Sequence, residues 1–143
     1  MSLKLRLVVD SNILFAAAIK EGFTARLLLS DRLDLIAPER LFVEFKKHEK
    51  ALLKKTNRTP QEFDKFVEIL EERIQVVPKA EFESWLSEAK KKSPPDDFPF
   101  TALAKAWGVP VWSKDAKLKK FIERTGFVEV LDTREVLEKL RLR

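Results

Sequence analysis

The sequence predicts an α/β fold, a three-layer sandwich in which a parallel sheet of roughly five strands lies between layers of helices. Three observations carry that reading. Short apolar runs rich in β-branched residues, beginning with Leu3 to Val9, recur along the chain, and their length suits strands buried on both faces. Between them lie longer stretches whose apolar residues repeat at i, i+3, i+4 and i+7, the period of a helix with one buried face. The two kinds of segment alternate, which implies right-handed βαβ crossovers and so parallel pairing.

In order, Leu3 to Val9 reads as the first strand, followed by short helices around Asn12 to Ile19 and Thr24 to Leu29. Leu33 to Ala37 is the second strand, with Pro38 opening the next helix, whose buried stripe is Leu41, Phe45 and Leu52. Thr59-Pro60-Gln61-Glu62 combines an N-cap, a proline at the first helical position and a returning Glu, the elements of a capping box. Phe63, Phe66, Val67 and Leu70 then form an apolar stripe, and Ile74 to Val77 is the third strand. Phe82, Trp85, Leu86 and Ala89 repeat the helical spacing, where aromatic residues are far more often core than ligand platforms. A helix from near Asp97 to Trp107 closes at Gly108, and Val109 to Trp112 is the fourth strand. Leu118, Phe121 and Ile122 mark a helix ended by Gly126, Phe127 to Leu131 is the fifth strand, and Asp132-Thr133-Arg134-Glu135 caps a last helix carrying Val136, Leu137 and Leu140.

The 143 residues suit one domain, 1–143, able to bury its own core. No repeat, low-complexity tract or linker-like shift in composition interrupts them. There is no cysteine, which excludes disulfides, thiolate zinc sites and cysteine nucleophiles. The longest apolar stretch, Ile13 to Ile19, is too short to span a bilayer, and no leader pattern opens the chain. A cytoplasmic protein with no membrane role is the expectation. Charged residues make up 36%, rich in Lys and Glu, with only Asn12 and Asn57 as asparagines, a profile common in thermophile proteins. The net charge is +5 and the pI near 9.5, with basic residues bunched at Lys46-Lys47, Lys50, Lys54-Lys55, Lys90 to Lys92, Lys114 to Lys120 and Arg141/Arg143. A phosphate backbone is a natural partner for such clusters. Solvated helix faces explain them as well, so charge alone supports a nucleic-acid partner only weakly.

Chemistry is expected where strands end. Val8-Val9-Asp10-Ser11-Asn12 and Val111-Trp112-Ser113-Lys114-Asp115 both deliver an Asp beside small hydroxyl or amide side chains. Asp96-Asp97 starts the helix before the second of these strands, where an Asp serves about as often as a plain cap. Glu44 lies at the edge of a buried helical stripe, and Glu49 falls on the same side, so periodicity does not choose between them. His48, the single histidine, reads as an incidental partner. Convergence of several such acids would be strongly repulsive without a cation, and oxygen ligands of this kind suit Mg²⁺ or Mn²⁺. A bound ion of that type acidifies water, aims it at phosphorus and neutralises the departing oxygen. With three glycines, one histidine and no cysteine, neither a glycine-rich phosphate loop nor a triad competes.

Taken in order, Val8-Val9-Asp10-Ser11-Asn12-Ile13-Leu14, Pro38 with Glu44 downstream, Asp97-Phe98-Pro99-Phe100-Thr101-Ala102-Leu103-Ala104, and Val111-Trp112-Ser113-Lys114-Asp115 resemble the PIN domain. The resemblance spans Leu5 to about Leu131, and the ordered set of four is more specific than any piece. It implies a metal-dependent ribonuclease, either the toxin half of a VapC-like toxin–antitoxin pair or an RNA-processing enzyme. Asp10, Glu44, Asp97 and Asp115 would be its catalytic, metal-binding acids and Asn12 and Ser113 the residues that buttress them; apart from the resemblance, Lys114 and Lys117 are the candidate contacts to the substrate. PIN domains often carry another acid two residues after the last Asp, where this chain has Lys117, so one firmly held metal, with a second recruited by substrate, is expected. RNA, a cognate antitoxin and a second copy of the chain in a homodimer are the partners so implied.

Three rivals stay open. One is a PIN-like fold serving as a binding module whose acids are structural or merely hold a cation. A response-regulator phosphoacceptor shares the parallel architecture, but its acceptor Asp would end a middle strand, and Ile74-Gln75-Val76-Val77-Pro78 ends without an acid. The chain could also act chiefly as half of a complex.

Overall fold

In the computed structural model, residues 4–19 and 22–141 are described. Leu3, assigned above to the first strand, and Arg143 lie outside them. Five parallel strands form one sheet: β1 (Leu5–Val9), β2 (Leu33–Pro38), β3 (Ile74–Val77), β4 (Val111–Trp112) and β5 (Val130–Leu131), in the order β3-β2-β1-β4-β5. The register places Leu7 opposite Leu35, Leu35 opposite Ile74 and Val9 opposite Trp112. Leu7, Val8, Val9, Leu35, Ile36 and Trp112 are essentially inaccessible, as expected where helices cover both faces. Each such fully buried side chain contributes about 1.5–3 kcal/mol.

The helices are α1 (Ser11–Ile19), α2 (Phe23–Leu28), α3 (Arg40–Lys47), α4 (Glu49–Lys55), α5 (Pro60–Arg73), α6 (Leu86–Lys92), α7 (Phe98–Trp107), α8 (Ala116–Thr125) and α9 (Thr133–Arg141). The capping box forms as the sequence implies. Thr59 Oγ1 accepts from the Glu62 amide at 3.1 Å, and Glu62 accepts from the Thr59 amide at 2.9 Å. Asp132 and Glu135 make the same reciprocal pair at the start of α9. Gly108 and Gly126 end α7 and α8 at φ 66° and 64°, the left-handed conformation in which glycine avoids a Cβ clash.

Four assignments differ. Pro38 does not open a helix but ends β2, opposite Val77. Leu41 to Leu52 is not one helix, because the chain breaks at His48, letting both Phe45 and Leu52 reach the core. Phe82 and Trp85 fall in two 3₁₀ turns ahead of α6. The fourth and fifth strands are shorter than their apolar runs, since Val109 and Phe127 pack on the core from outside the ladder. No described helix is long and apolar enough to cross a membrane.

Candidate functional site

From β1 the chain moves outward through β2 and β3, then returns across the sheet to β4 on the other side of β1. The crossovers diverge at that switch, and the carboxyl ends of β1 and β4 border the resulting crevice. Asp10 and Ser113 are the first residues beyond those two ends.

Asp10 is 3% exposed. Its Oδ1 accepts from the Ser11 amide at 2.7 Å, and its Oδ2 accepts from Ser113 Oγ at 2.8 Å and Asn12 Nδ2 at 3.3 Å. Ser113 Oγ in turn accepts from Asn12 Nδ2 and from the Asp115 amide, both at 3.0 Å. Asn12 Oδ1 takes the Lys114 amide at 2.9 Å. Asn12 and Ser113, the two expected buttresses, therefore tie the exit of β1 to that of β4 and fix the Asp10 carboxylate. Burial raises the pKa of Asp10; the bonds from Ser113 and Ser11 offset it in part, and the charge of Asp115 adds to it.

Asp115 is half-buried at the N-cap of α8. Its Oδ1 accepts the amides of Lys117 at 2.9 Å and Leu118 at 3.2 Å, bonds that typically stabilise by about 1 kcal/mol. Asp97 also occupies an N-cap position, that of α7, yet its side chain makes no capping bond. The plain-cap role weighed for this residue is thus not what its carboxylate does. Its carboxyl is instead pushed up to about 7, first by burial and then by the charges of Asp10, Asp115, Asp96 and Glu44. Asp10, Asp97, Asp115 and Glu44 accordingly share one electrostatic neighbourhood. Asp96 is exposed beside it.

Glu44 is half-buried on α3 and ion-paired with Arg40 one turn earlier. Glu49 faces elsewhere, lining a hollow with Lys46, Asp64 and Glu71, so the structure separates two acids that periodicity could not. His48 packs edge-on against Phe15, its ring centroid 5.1 Å away. Lys114 and Lys117 are exposed at the rim. Sequence reasoning missed Arg40, although an Arg four residues before a Glu on a helix is a legible pairing signal. It also missed the Ser11 amide, which no side-chain pattern reveals.

The donor set is entirely oxygen and mainly anionic, with Glu44 alone paired to a cation among the described residues, which fits a hard divalent cation. Among the described residues, however, no three acidic or histidine side chains are placed to hold an ion directly. Glu44 is turned to Arg40, and one oxygen of Asp115 is turned to α8. The arrangement suits a hydrated ion, held by few carboxylates and completed by water and substrate phosphate, as Mg²⁺ commonly is.

The PIN-domain family model matches residues 8–141. Among solved structures, the chain is similar to one in the crystal structure of VapBC2 from Rickettsia felis bound to a DNA fragment from their promoter. The TM-score is 0.60 and the identity 13%, over 90% of this chain and 98% of that one. No curated protein matches.

Proposed function

This chain belongs to the PIN-domain family, and from that premise we propose that it is an endoribonuclease, dependent on Mg²⁺ or Mn²⁺, that hydrolyses single-stranded RNA at Asp10, Glu44, Asp97 and Asp115. PIN domains are generally nucleases that need a divalent cation. The observation that carries the reading is Asp97, whose carboxyl rises to about 7 because it is buried among other carboxylates. That is a costly arrangement in a protein with no cation to place there.

The bound ion would acidify a water, aim it at phosphorus and neutralise the leaving oxygen. The chain's own residues prepare the place for this. Asp10 is held by Ser11, Asn12 and Ser113, so its orientation costs nothing at the moment of reaction. Asp115 keeps one oxygen outside its capping bonds. Asp97 would give up its proton as the ion binds, because its raised pKa comes from burial and neighbouring carboxylates whose repulsion a cation relieves. Lys114 and Lys117 stand exposed where phosphates of a bound strand would pass.

A protein partner belongs to the reading too, either an antitoxin, as the VapBC2 likeness suggests, or a second copy of the chain. Leu29, Phe66 and Ile69 line an open hollow between α2 and α5, and Leu29 is 48% exposed. Sizing of the purified protein, alone and with the product of any adjacent small gene, tests this.

The decisive experiment incubates labelled single-stranded RNA with the protein in Mg²⁺, Mn²⁺ or EDTA, including warm conditions, beside Asp10→Asn and Asp115→Asn. Cleavage that needs metal and disappears in both variants is expected. One observation favours a second reading, a PIN fold that binds RNA or protein without cutting: among the described residues, no three acids are placed to grip an ion directly. Mn²⁺ binding by calorimetry without cleavage of varied RNAs would select it, and absence of metal binding would remove the carboxylate site itself.

A further inference from the structure

A phosphodiester approaching four carboxylates is repelled unless cations flank them, and Lys114 and Lys117 flank only the β4 side. On the other side lies a groove of about 350 Å³, within the range of ligand sites. It shares two walls with the acidic cluster. One is Arg40, the ion-pair partner of Glu44; the other is Phe98, which directly follows Asp97.

Arg40, Lys79 and Lys90 bring three cations to this groove; Glu39 is the acid in its lining, and Arg40 is ion-paired with Glu44, which leaves Lys79 and Lys90 as its unpaired charges. Lys79 and Lys90 are exposed, and neither is in an ion pair with a carboxylate among the described residues. The Lys90 ammonium stands 5.1 Å from the centre of the half-buried Phe98 ring. A cationic groove with an aromatic face is the usual chemistry for a single nucleic-acid strand, phosphates on the cations and a base on the ring.

The sheet order supplies the geometry. Lys114 follows β4, Asp10 follows β1, Arg40 follows β2 and Lys79 follows β3. Three strand spacings separate β4 from β3, roughly 14 Å. Along the carboxyl edge, cations therefore lie on both sides of the acids. We propose that this groove is a nucleotide subsite. It takes the RNA next to the cleaved bond, with phosphates against Arg40, Lys79 and Lys90 and a base against Phe98. The proposal rests on the ribonuclease reading for its ligand.

The test uses fluorescent oligouridine and the full chain. Binding is measured by anisotropy in EDTA across a salt series, and cleavage kinetics are measured with Mn²⁺. Lys79→Ala/Lys90→Ala should flatten the slope of log K against log salt by about 1.4, roughly 0.7 for each lost phosphate contact. It should also raise KM with little change in kcat. Phe98→Leu, which keeps the apolar packing, should weaken binding about tenfold at unchanged slope. Lys54→Ala/Lys55→Ala on α4, equal in charge change but remote from the groove, should alter neither. Cleavage by a wild-type protein whose slope and KM ignore the double variant would overturn the subsite and leave the nuclease standing. Groove-dependent binding without cleavage would do the reverse. Failure to bind or cleave RNA with Mn²⁺ present would remove both, and a groove that takes poly-glutamate in place of RNA would overturn the subsite alone.

Discussion

Changing Asp97 to Asn removes one charge from the acidic cluster and little else. The side chain makes no capping bond, and Asn is as good an N-cap as Asp. A carboxyl moved from 3.8 to about 7 opposes folding, when ionised, by roughly 4 kcal/mol before screening. Asp97 is only half-buried, so solvent reduces that to about 1–2 kcal/mol. The sign follows from the direction of the shift. The favourable contribution of the protonated group is complete below 3.8 and disappears as pH rises through about 7. In EDTA at pH 8, Asp97→Asn should therefore melt about 3–6 °C above the unaltered protein. At pH 4.5 the two should nearly coincide.

Circular dichroism melts at both pH values give that comparison. Mn²⁺ should reverse the order at pH 8, because a cation stabilises the charged cluster and has less to bind in the variant. Mn²⁺ uptake near pH 6 should release protons, read as a buffer-dependent heat. An Asp97→Asn variant that gains equally at both pH values, or loses stability at pH 8, would refute the argument that Asp97 sits among repelling charges.

Three further changes separate the parts of the site. Asn12→Ala deletes bonds to Asp10, Ser113 and the Lys114 amide; urea unfolding should lose about 1–3 kcal/mol, and turnover should fall with it. Arg40→Ala frees Glu44 from its ion pair, and calorimetry should find Mn²⁺ bound severalfold more tightly in the absence of RNA. Thr59→Ala breaks the capping box of α5, costing about 1 kcal/mol in a melt while leaving cleavage unchanged.

The elements legible in the sequence were those whose signal is local. Thr59 and Glu62, Gly108 and Gly126, and the helical stripe of α5 each carry their geometry within a few residues, and each forms where the pattern puts it. Pro38 misled because a proline fits the first turn of a helix and the end of a strand alike. Phe127 and Val109 read as strand because they are apolar, yet the core takes them without the ladder. Asp10 and Asp115 were visible as acids ending strands. The Asn12 bridge from β1 to β4, between residues 101 apart in sequence, depends on the sheet order, which periodicity does not specify. The choice of Glu44 over Glu49 was of the same kind. Both sit on one side of a helical wheel, and only the break at His48 sends Glu49 toward α5 and leaves Glu44 near Asp97.

That dependence on tertiary geometry bears on how many cations the proposed site would hold. Lys117 stands two residues after Asp115, where PIN domains often place a further acid. Here its amide serves as one of the donors that pin Asp115 Oδ1, at 2.9 Å, and its ammonium is exposed on the first turn of α8. A lysine at this position supplies a positive charge where a second ion would otherwise need an anion. Calorimetry without RNA should therefore give one Mn²⁺ per chain. Lys117→Asp keeps the backbone amide and places an acid in the first turn of a helix, where the dipole favours it. It should fold at least as stably and add a second, weaker Mn²⁺. Two ions in the unaltered protein would mean that Asp96 or Glu44 completes a second site unaided. The lysine would then bear on substrate phosphate rather than on metal number.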